Sequence, residues 1–467
     1  MATTQPLLLN DQQMKSFITN GYLILKTDFS KEFHAGLVNQ LNEIYEKEGN
    51  PGNNILPRIR DMQRVFEHPV ITGALTSVLG SDYLLHTHRH GHYNSIPKPG
   101  GWHKDSYWGY SRLRNHHPWW AMIMYFPQDT PVELGPTGVM PGTQYSESRT
   151  FASDEMEEEA TANGEAGTFA LIHYDIWHRS TPNVLGTPRF MLKFEFMRTA
   201  APTAPSWDNQ ERSWSAVPLE AGVVEPTIIG EEVWNWLSGD IGSLAGTKAD
   251  DSAAIAELSN RLTGSDEPSA LAAAYELAAR GNGGTDALFK GLHHEDVKVS
   301  RSAAYGLSAA GAGAVDGLIY ALDDSREETV NLAVFALGEL RELAAAALPK
   351  LRALLDQPSV RVRRTVVDVL GMIKEPVQDV VAALIKGLQD EDTQVRFMAA
   401  LSLTRIGEAA APAIPYLETA LTDENRYVRG HALEALRYMG TKEANDVLMR
   451  ELFNTRWCSS TTPASTF

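Results

Sequence analysis

The residues best suited to chemistry stand in Trp102-His103-Lys104-Asp105. His103 and Asp105 are two apart, so on an extended segment both point to the same side. A metal gripped by this pair needs a third ligand from elsewhere. His178 lies 75 residues on, within His173-Tyr174-Asp175-Ile176-Trp177-His178-Arg179-Ser180. Two imidazoles and one carboxylate on one face of a metal leave the opposite positions open, the arrangement of non-haem Fe(II) sites that activate oxygen. Zinc tolerates the same ligand types, though it prefers closed or single-water tetrahedral sites. His-x-Asp is common in proteins, so the surrounding sequence has to carry the argument.

Arg189 follows His178 by 11 residues and opens the run Arg189-Phe190-Met191-Leu192-Lys193-Phe194-Glu195-Phe196. Strict alternation of this kind reads as a strand. Phe190, Leu192, Phe194 and Phe196 share one face; Arg189, Met191, Lys193 and Glu195 share the other. If the phenylalanines pack under helices, the charged face lines a barrel interior. A guanidinium there binds a carboxylate bidentately. A metal triad with an arginine on a neighbouring strand is what 2-oxoglutarate needs as co-substrate.

These residues resemble the phytanoyl-CoA dioxygenase-like branch of Fe(II)/2-oxoglutarate oxygenases, over roughly residues 10–200. The likeness includes Met14-Lys15-Ser16-Phe17 leading to Asn20-Gly21-Tyr22-Leu23-Ile24-Leu25, then His103-x-Asp105, Gly135-Pro136-Thr137 and Pro141-Gly142-Thr143. It closes with His178, Ser180, Pro182-Asn183 and Arg189. It implies a double-stranded β-helix (jelly roll) with His103, Asp105 and His178 as iron ligands and catalytic centre. It also implies that Arg189, helped by Ser180, binds 2-oxoglutarate. Decarboxylation of 2-oxoglutarate to succinate by O2, with ascorbate in support, would be coupled to oxidation of a C–H bond in a small organic substrate, in secondary metabolism. Hydroxylation, desaturation and ring closure are all within the class. Gln144 and Tyr145 replace the histidine usual after the Pro-Gly turn. Asp105 is retained, which argues against the related halogenases.

Other residues compete for roles. His86, His88, His90 and His92 alternate along one strand face; they read as polar residues lining or flanking the barrel, with a second metal site as the alternative. Arg89 would face the other way. Arg89, Trp102, Trp119 and Arg58 are the candidate substrate contacts, with Arg58 grouped with Arg60 and Arg64. Surface ion pairing is the alternative for these arginines. His116 and His117 read as loop residues. Trp102, Tyr107, Trp108, Tyr110, Trp119 and Trp120 read as core and pocket wall, because the local charge offers no electrostatic funnel for nucleic acid. The acidic run Asp154–Glu159 reads as a solvated helix or lid.

The second half has a different period. Leu277, Leu307, Leu337, Leu370, Leu403 and Leu436 recur at steps of 30 and then 33 residues. Ala273, Ala303, Ala333, Val366, Ala399 and Ala432 stand four positions before them. This is one helical face repeated, preceded by acidic turns and often by a Val-Arg pair, as in Val395-Arg396 and Val428-Arg429. One such unit cannot bury its own apolar face, so units stack into a solenoid. The pattern resembles short HEAT repeats over about residues 250–455. The expected organisation is an oxygenase domain at 1–205, a linker at 206–249 in which Trp234 and Trp236 dock, an all-α HEAT-like solenoid at 250–455 and a tail at 456–467. The solenoid offers a buttress, a self-association face or a surface for a protein partner. An adaptor that recruits a protein for the oxygenase domain to modify, or that carries a vestigial oxygenase domain, is the alternative function.

The chain has 467 residues and a formal charge of −18, which opposes binding to nucleic acid or anionic membranes. It contains no apolar run long enough to span a bilayer. Met1–Asn10 lacks the features of a signal peptide. One cysteine, Cys458, excludes an intrachain disulfide. Together these lead us to expect a cytoplasmic chain.

Overall fold

The computed structural model describes residues 5–105, 113–151, 159–217 and 227–454. It separates into two compact units, Met1–Ala314 and Val315–Phe467.

The first unit is built on eight strands: β1 (Tyr22–Lys26), β2 (Leu84–Asn94), β3 (Trp120–Tyr125), β4 (Thr137–Val139), β5 (Ala160–Thr161), β6 (Thr168–His173), β7 (His178–Ser180) and β8 (Arg189–Met197). They form a five-stranded sheet in the order β1-β6-β3-β8-β2 and a three-stranded sheet in the order β5-β4-β7. Every pairing is antiparallel. This is the double-stranded β-helix layout, and its crossovers put sequence-distant strands side by side.

The alternation in β8 has the expected consequence. Phe66 packs edge-on against Phe194 with ring centroids 4.6 Å apart, and Tyr45, on the helix Lys31–Glu48, meets Phe190 at 5.2 Å. The aromatic face is therefore the one under the helices, and Arg189, Met191, Lys193 and Glu195 face inward. All nine residues of β8 are buried, so the charged ones must find partners inside.

β2 carries an irregularity. Leu85 stands opposite Phe196, yet Arg89 stands opposite Phe194, so the strand bulges between them. A bulge adds unpaired residues on one strand and re-aims the side chains beyond it. Past the bulge, His90 faces Lys193 and His92 faces Met191. The histidines thus share the interior face, and Arg89 shares Phe194's outer face.

The described residues of the expected linker, 206–217 and 227–249, are packed. They contain the helix Thr227–Leu237, whose Trp234 and Trp236 are completely buried. Trp236 stacks on His117 at 4.5 Å and meets Trp119 at 5.3 Å. Helices Ser252–Leu262, Glu267–Ala278, Gly281–Leu292 and Val297–Ala309 belong to the same compact unit.

In the second unit, helices Glu327–Glu339, Val360–Ile373, Thr393–Ile406 and Arg426–Met439 repeat one design. Ser359, Asp392 and Asn425 cap their helices by accepting backbone N–H bonds. The Val-Arg pair is explained here. Arg363, Arg396 and Arg429 each turn back onto two carbonyls of the preceding turn, as Arg396 does on Asp390 and Glu391 at 3.0 Å each. Arg363 and Arg396 also reach Asp390 and Asp423, 27 residues ahead, at 2.8 Å. Each such arginine ties a helix start to the next repeat. Cys458 and the tail lie outside the described residues, and among the described residues no helix is long and apolar enough to cross a membrane.

Candidate metal centre

His103 and His178 are joined through their backbones before their side chains meet. Each donates its N–H to the other's carbonyl at 3.0 Å, forming an antiparallel bridge at the start of β7. The bridge brings the imidazoles to 4.4 Å between centroids. Asp105, two residues along, places Oδ2 3.1 Å from His178 Nε2. One donor atom from each of the three lies within 4.8 Å of the others, and no other such group occurs among the described residues.

The donor set fits a divalent metal. Adjacent ligands on bonds of about 2.1 Å stand about 3 Å apart, close to the separation of Oδ2 and Nε2. His103 Nδ1 faces the Gly101 carbonyl at 2.8 Å, and His178 Nδ1 faces that of Ile176 at 3.1 Å. A carbonyl only accepts, so both Nδ1 atoms carry a proton and Nε2 is the nitrogen that each ring turns toward a metal. Burial, with His178 beside it, lowers the His103 pKa and keeps the ring neutral. Burial works to raise the Asp105 pKa, but His178 and Lys193 outweigh it and hold the carboxyl well below its ordinary value.

Lys104, between the two ligands, faces the other way. Its buried ammonium donates to the Thr143 carbonyl at 2.7 Å and to the Asp175 carbonyl. Burial pushes its pKa down to about 7. The Pro-Gly-Thr turn thus anchors the ligand arm through the side chain that the His-x-Asp spacing skips. Gln144 and Tyr145, beyond that turn, donate to the Ile18 carbonyl at 2.9 and 2.8 Å, so they dock the end of the first helix (Asp11–Asn20).

The triad opens on a cavity of about 280 Å³, which also reaches His92, Met124, Ser180, Arg189, Met191 and Lys193. Arg189 is 1% exposed. Its Nε donates to the Gly135 carbonyl at 2.9 Å, while Nη1 is buried with no hydrogen-bond partner. Burial lowers its pKa to about 10. A buried guanidinium with an unspent donor is what a carboxylate ligand would satisfy. Gly135 is needed as glycine: its φ is +74°, and a Cβ would lie 2.7 Å from the Thr181 carbonyl oxygen. That left-handed turn aims the carbonyl that orients Arg189.

The structure does not bring the four candidate substrate contacts onto this cavity. Arg58 pairs with Glu48 at 2.6 Å. Arg89 lies on the outer face of β2, where its N–H meets Asn53, because the histidines take the interior. Trp119 packs against Trp236. Trp102 lies 4.4 Å from the Arg179 guanidinium, which is held bidentately by Glu159. His116 and His117 lie in a loop, as expected, and are buried there. His116 stacks on Tyr305 at 3.9 Å and contacts the Tyr275 hydroxyl at 2.8 Å. Tyr107, Trp108, Tyr110 and residues 154–158 of the acidic run lie outside the described residues.

Comparison with known families decides the first unit's class. Residues 25–191 match the phytanoyl-CoA dioxygenase (PhyH) family. This segment is a PhyH domain. HEAT repeats match at 315–381, 348–437 and 381–456. The matched segment contains all three residues of the triad together with Arg189. Among solved structures, the chain is similar to a non-haem alpha-ketoglutarate-dependent carbocyclase, SnoK, from nogalamycin biosynthesis. The identity is 16% over 42% of this chain and 88% of that one, with a TM-score of 0.35. It is similar to the epimerase SnoN in complex with Fe3+, alpha-ketoglutarate and nogalamycin RO, at 15% identity, 41% and 84% coverage and a TM-score of 0.34. EctD from S. alaskensis in its apo form gives 16%, 45%, 86% and 0.35. Curated proteins return no match.

Proposed function

We propose that the chain is an Fe(II)/2-oxoglutarate-dependent dioxygenase that couples conversion of 2-oxoglutarate to succinate with C–H oxidation of a small organic substrate of secondary metabolism. The observation that carries this reading is the convergence of three ligand atoms beside a cavity reached by Arg189, whose Nη1 has no partner. His103, Asp105 and His178 hold the iron on one side. Iron, when bound, supplies the oxygen-activating chemistry.

The protein's own residues do the rest. Arg189, with Ser180 nearby, binds the far carboxylate of 2-oxoglutarate and so fixes its keto-acid end toward the triad. Gly101 and Ile176 carbonyls hold both imidazoles in the tautomer that offers Nε2. Met124 and Met191 give the cavity apolar walls that exclude water from the reacting carbon.

The test is succinate formation from 2-oxoglutarate with Fe(II), ascorbate and O2 across a panel of small organic substrates. Loss of turnover in His103→Ala and Asp105→Ala is expected; full succinate formation in either variant sinks the triad assignment.

A further inference from the structure

The barrel interior holds a second carboxylate that the triad does not use. Lys193 and Glu195 follow each other on the inward face of β8. Lys193 Nζ stands 2.7 Å from Asp105 Oδ2 and 3.8 Å from Glu195 Oε1. The side chains are 7% and 0% exposed. Neither oxygen of Glu195 receives a hydrogen bond. The nearest nitrogen, His86 Nδ1, lies 3.1 Å from Oε2 but already accepts the His88 N–H at 3.2 Å. It therefore has no hydrogen to give. His88 Nε2, 3.9 Å from Oε1, is beyond hydrogen-bond reach. Burial pushes the Glu195 carboxyl up to about 7, although Lys193 pulls the other way.

A divalent metal and the Lys193 ammonium compete for the same oxygen of Asp105. A divalent ion on Oδ2 takes the ammonium's place, and two cations on the same atom repel strongly in a buried site. An ammonium this buried cannot simply retreat into water. Glu195 lies on the other side of it, about 1 Å short of contact, with its acceptor capacity unspent.

Resting on the reading of the triad as a metal site, we propose that Lys193 is a positioning residue that changes partners: its ion pair with Asp105 gives way to one with Glu195 when a divalent cation occupies His103, Asp105 and His178. Glu195 is then the seat that makes metal entry electrostatically tolerable.

Calorimetric titration of Mn(II) into the full chain tests the exchange through a double-mutant cycle. Glu195→Gln should weaken Mn(II) by at least about tenfold, since the displaced ammonium loses its negatively charged partner. Lys193→Met should bind at least as tightly as the wild type. In the Lys193→Met background, Glu195→Gln should change affinity by less than about twofold. An equal effect of Glu195→Gln in both backgrounds, or weaker binding by Lys193→Met, overturns the exchange. Failure of the wild type to bind Mn(II), or undiminished binding by His103→Ala, overturns the metal site itself and the exchange with it. Should Glu195→Gln not fold, melting of Lys193→Met with and without Mn(II) decides alone. The exchange requires a larger Mn(II)-induced rise in Tm than in the wild type, and an equal or smaller rise overturns it.

Discussion

The two histidines of the triad are aligned by their own main chains, so their substitution should remove ligands without unmaking the bridge. His103→Ala is expected to lower Mn(II) affinity by more than about a hundredfold while the melting temperature of the metal-free protein changes little, measured by calorimetry and thermal denaturation. Arg189→Met should act differently: about ten- to hundredfold weaker binding of 2-oxoglutarate to the Mn(II)-loaded protein, with Mn(II) affinity kept, because a charge-assisted bond is lost away from the metal. Glu195 sets a pH dependence. Its folded pKa of about 7 lies above the unfolded value near 4.3, so the folded state binds the extra proton between them. Stability of the metal-free protein should therefore fall as pH rises from about 4.5 to about 7, by at most about 4 kcal/mol, and flatten above. Glu195→Gln should abolish that slope in denaturant titrations across the range. At this scale the ligand types were legible because His-x-Asp is a local pattern. Arg58, Arg89 and Trp119 were not, because burial and facing depend on partners distant in sequence. Lys104 carried no signal beyond its position, as its two acceptors lie 39 and 71 residues away.

Strand and helix patterns carried more. The alternation of β8 was enough to place four phenyl and leucyl side chains outward and four polar or sulfur-containing ones inward, since a strand has only two faces. The bulge in β2 carried no such mark, and it is what relates His86 and His92 to the different halves of β8. Among the repeats, the Val-Arg pair was visible but its purpose was not, because its acceptors are backbone carbonyls and a carboxylate in the following unit. Arg396→Ala should destabilise the protein by about 1–3 kcal/mol, seen as a lower denaturant midpoint, because it removes two capping bonds and a partly buried ion pair together.

Across the whole molecule, the composition changes near residue 240, but packing divides the chain at Ala314. Composition marks where helices begin; it does not record which core they complete. His116 stacks on Tyr305, Arg114 donates its N–H to the same hydroxyl at 2.6 Å, and Glu267 accepts the N–H groups of Glu147 and Ser148 at 2.8 Å each. These helices hold the loops on either side of the triad's Pro-Gly-Thr anchor. A chain ending at Ala314 should thus melt cooperatively and bind Mn(II), whereas one ending at Asp250 should melt about 10 °C lower or more. In the second unit, the arginine ties are spaced by the length of one repeat, which makes the array indifferent to how many repeats it contains. Excision of residues 391–423 would join Asp390 to Glu424, set Arg363 and Arg429 about a common aspartate and shorten the protein by one rung, at the cost of the Arg364–Asp392, Arg405–Asp368 and Arg450–Glu418 pairs. Evolution could lengthen or trim such a ladder in whole rungs while the first unit, closed at Ala314, went on unchanged.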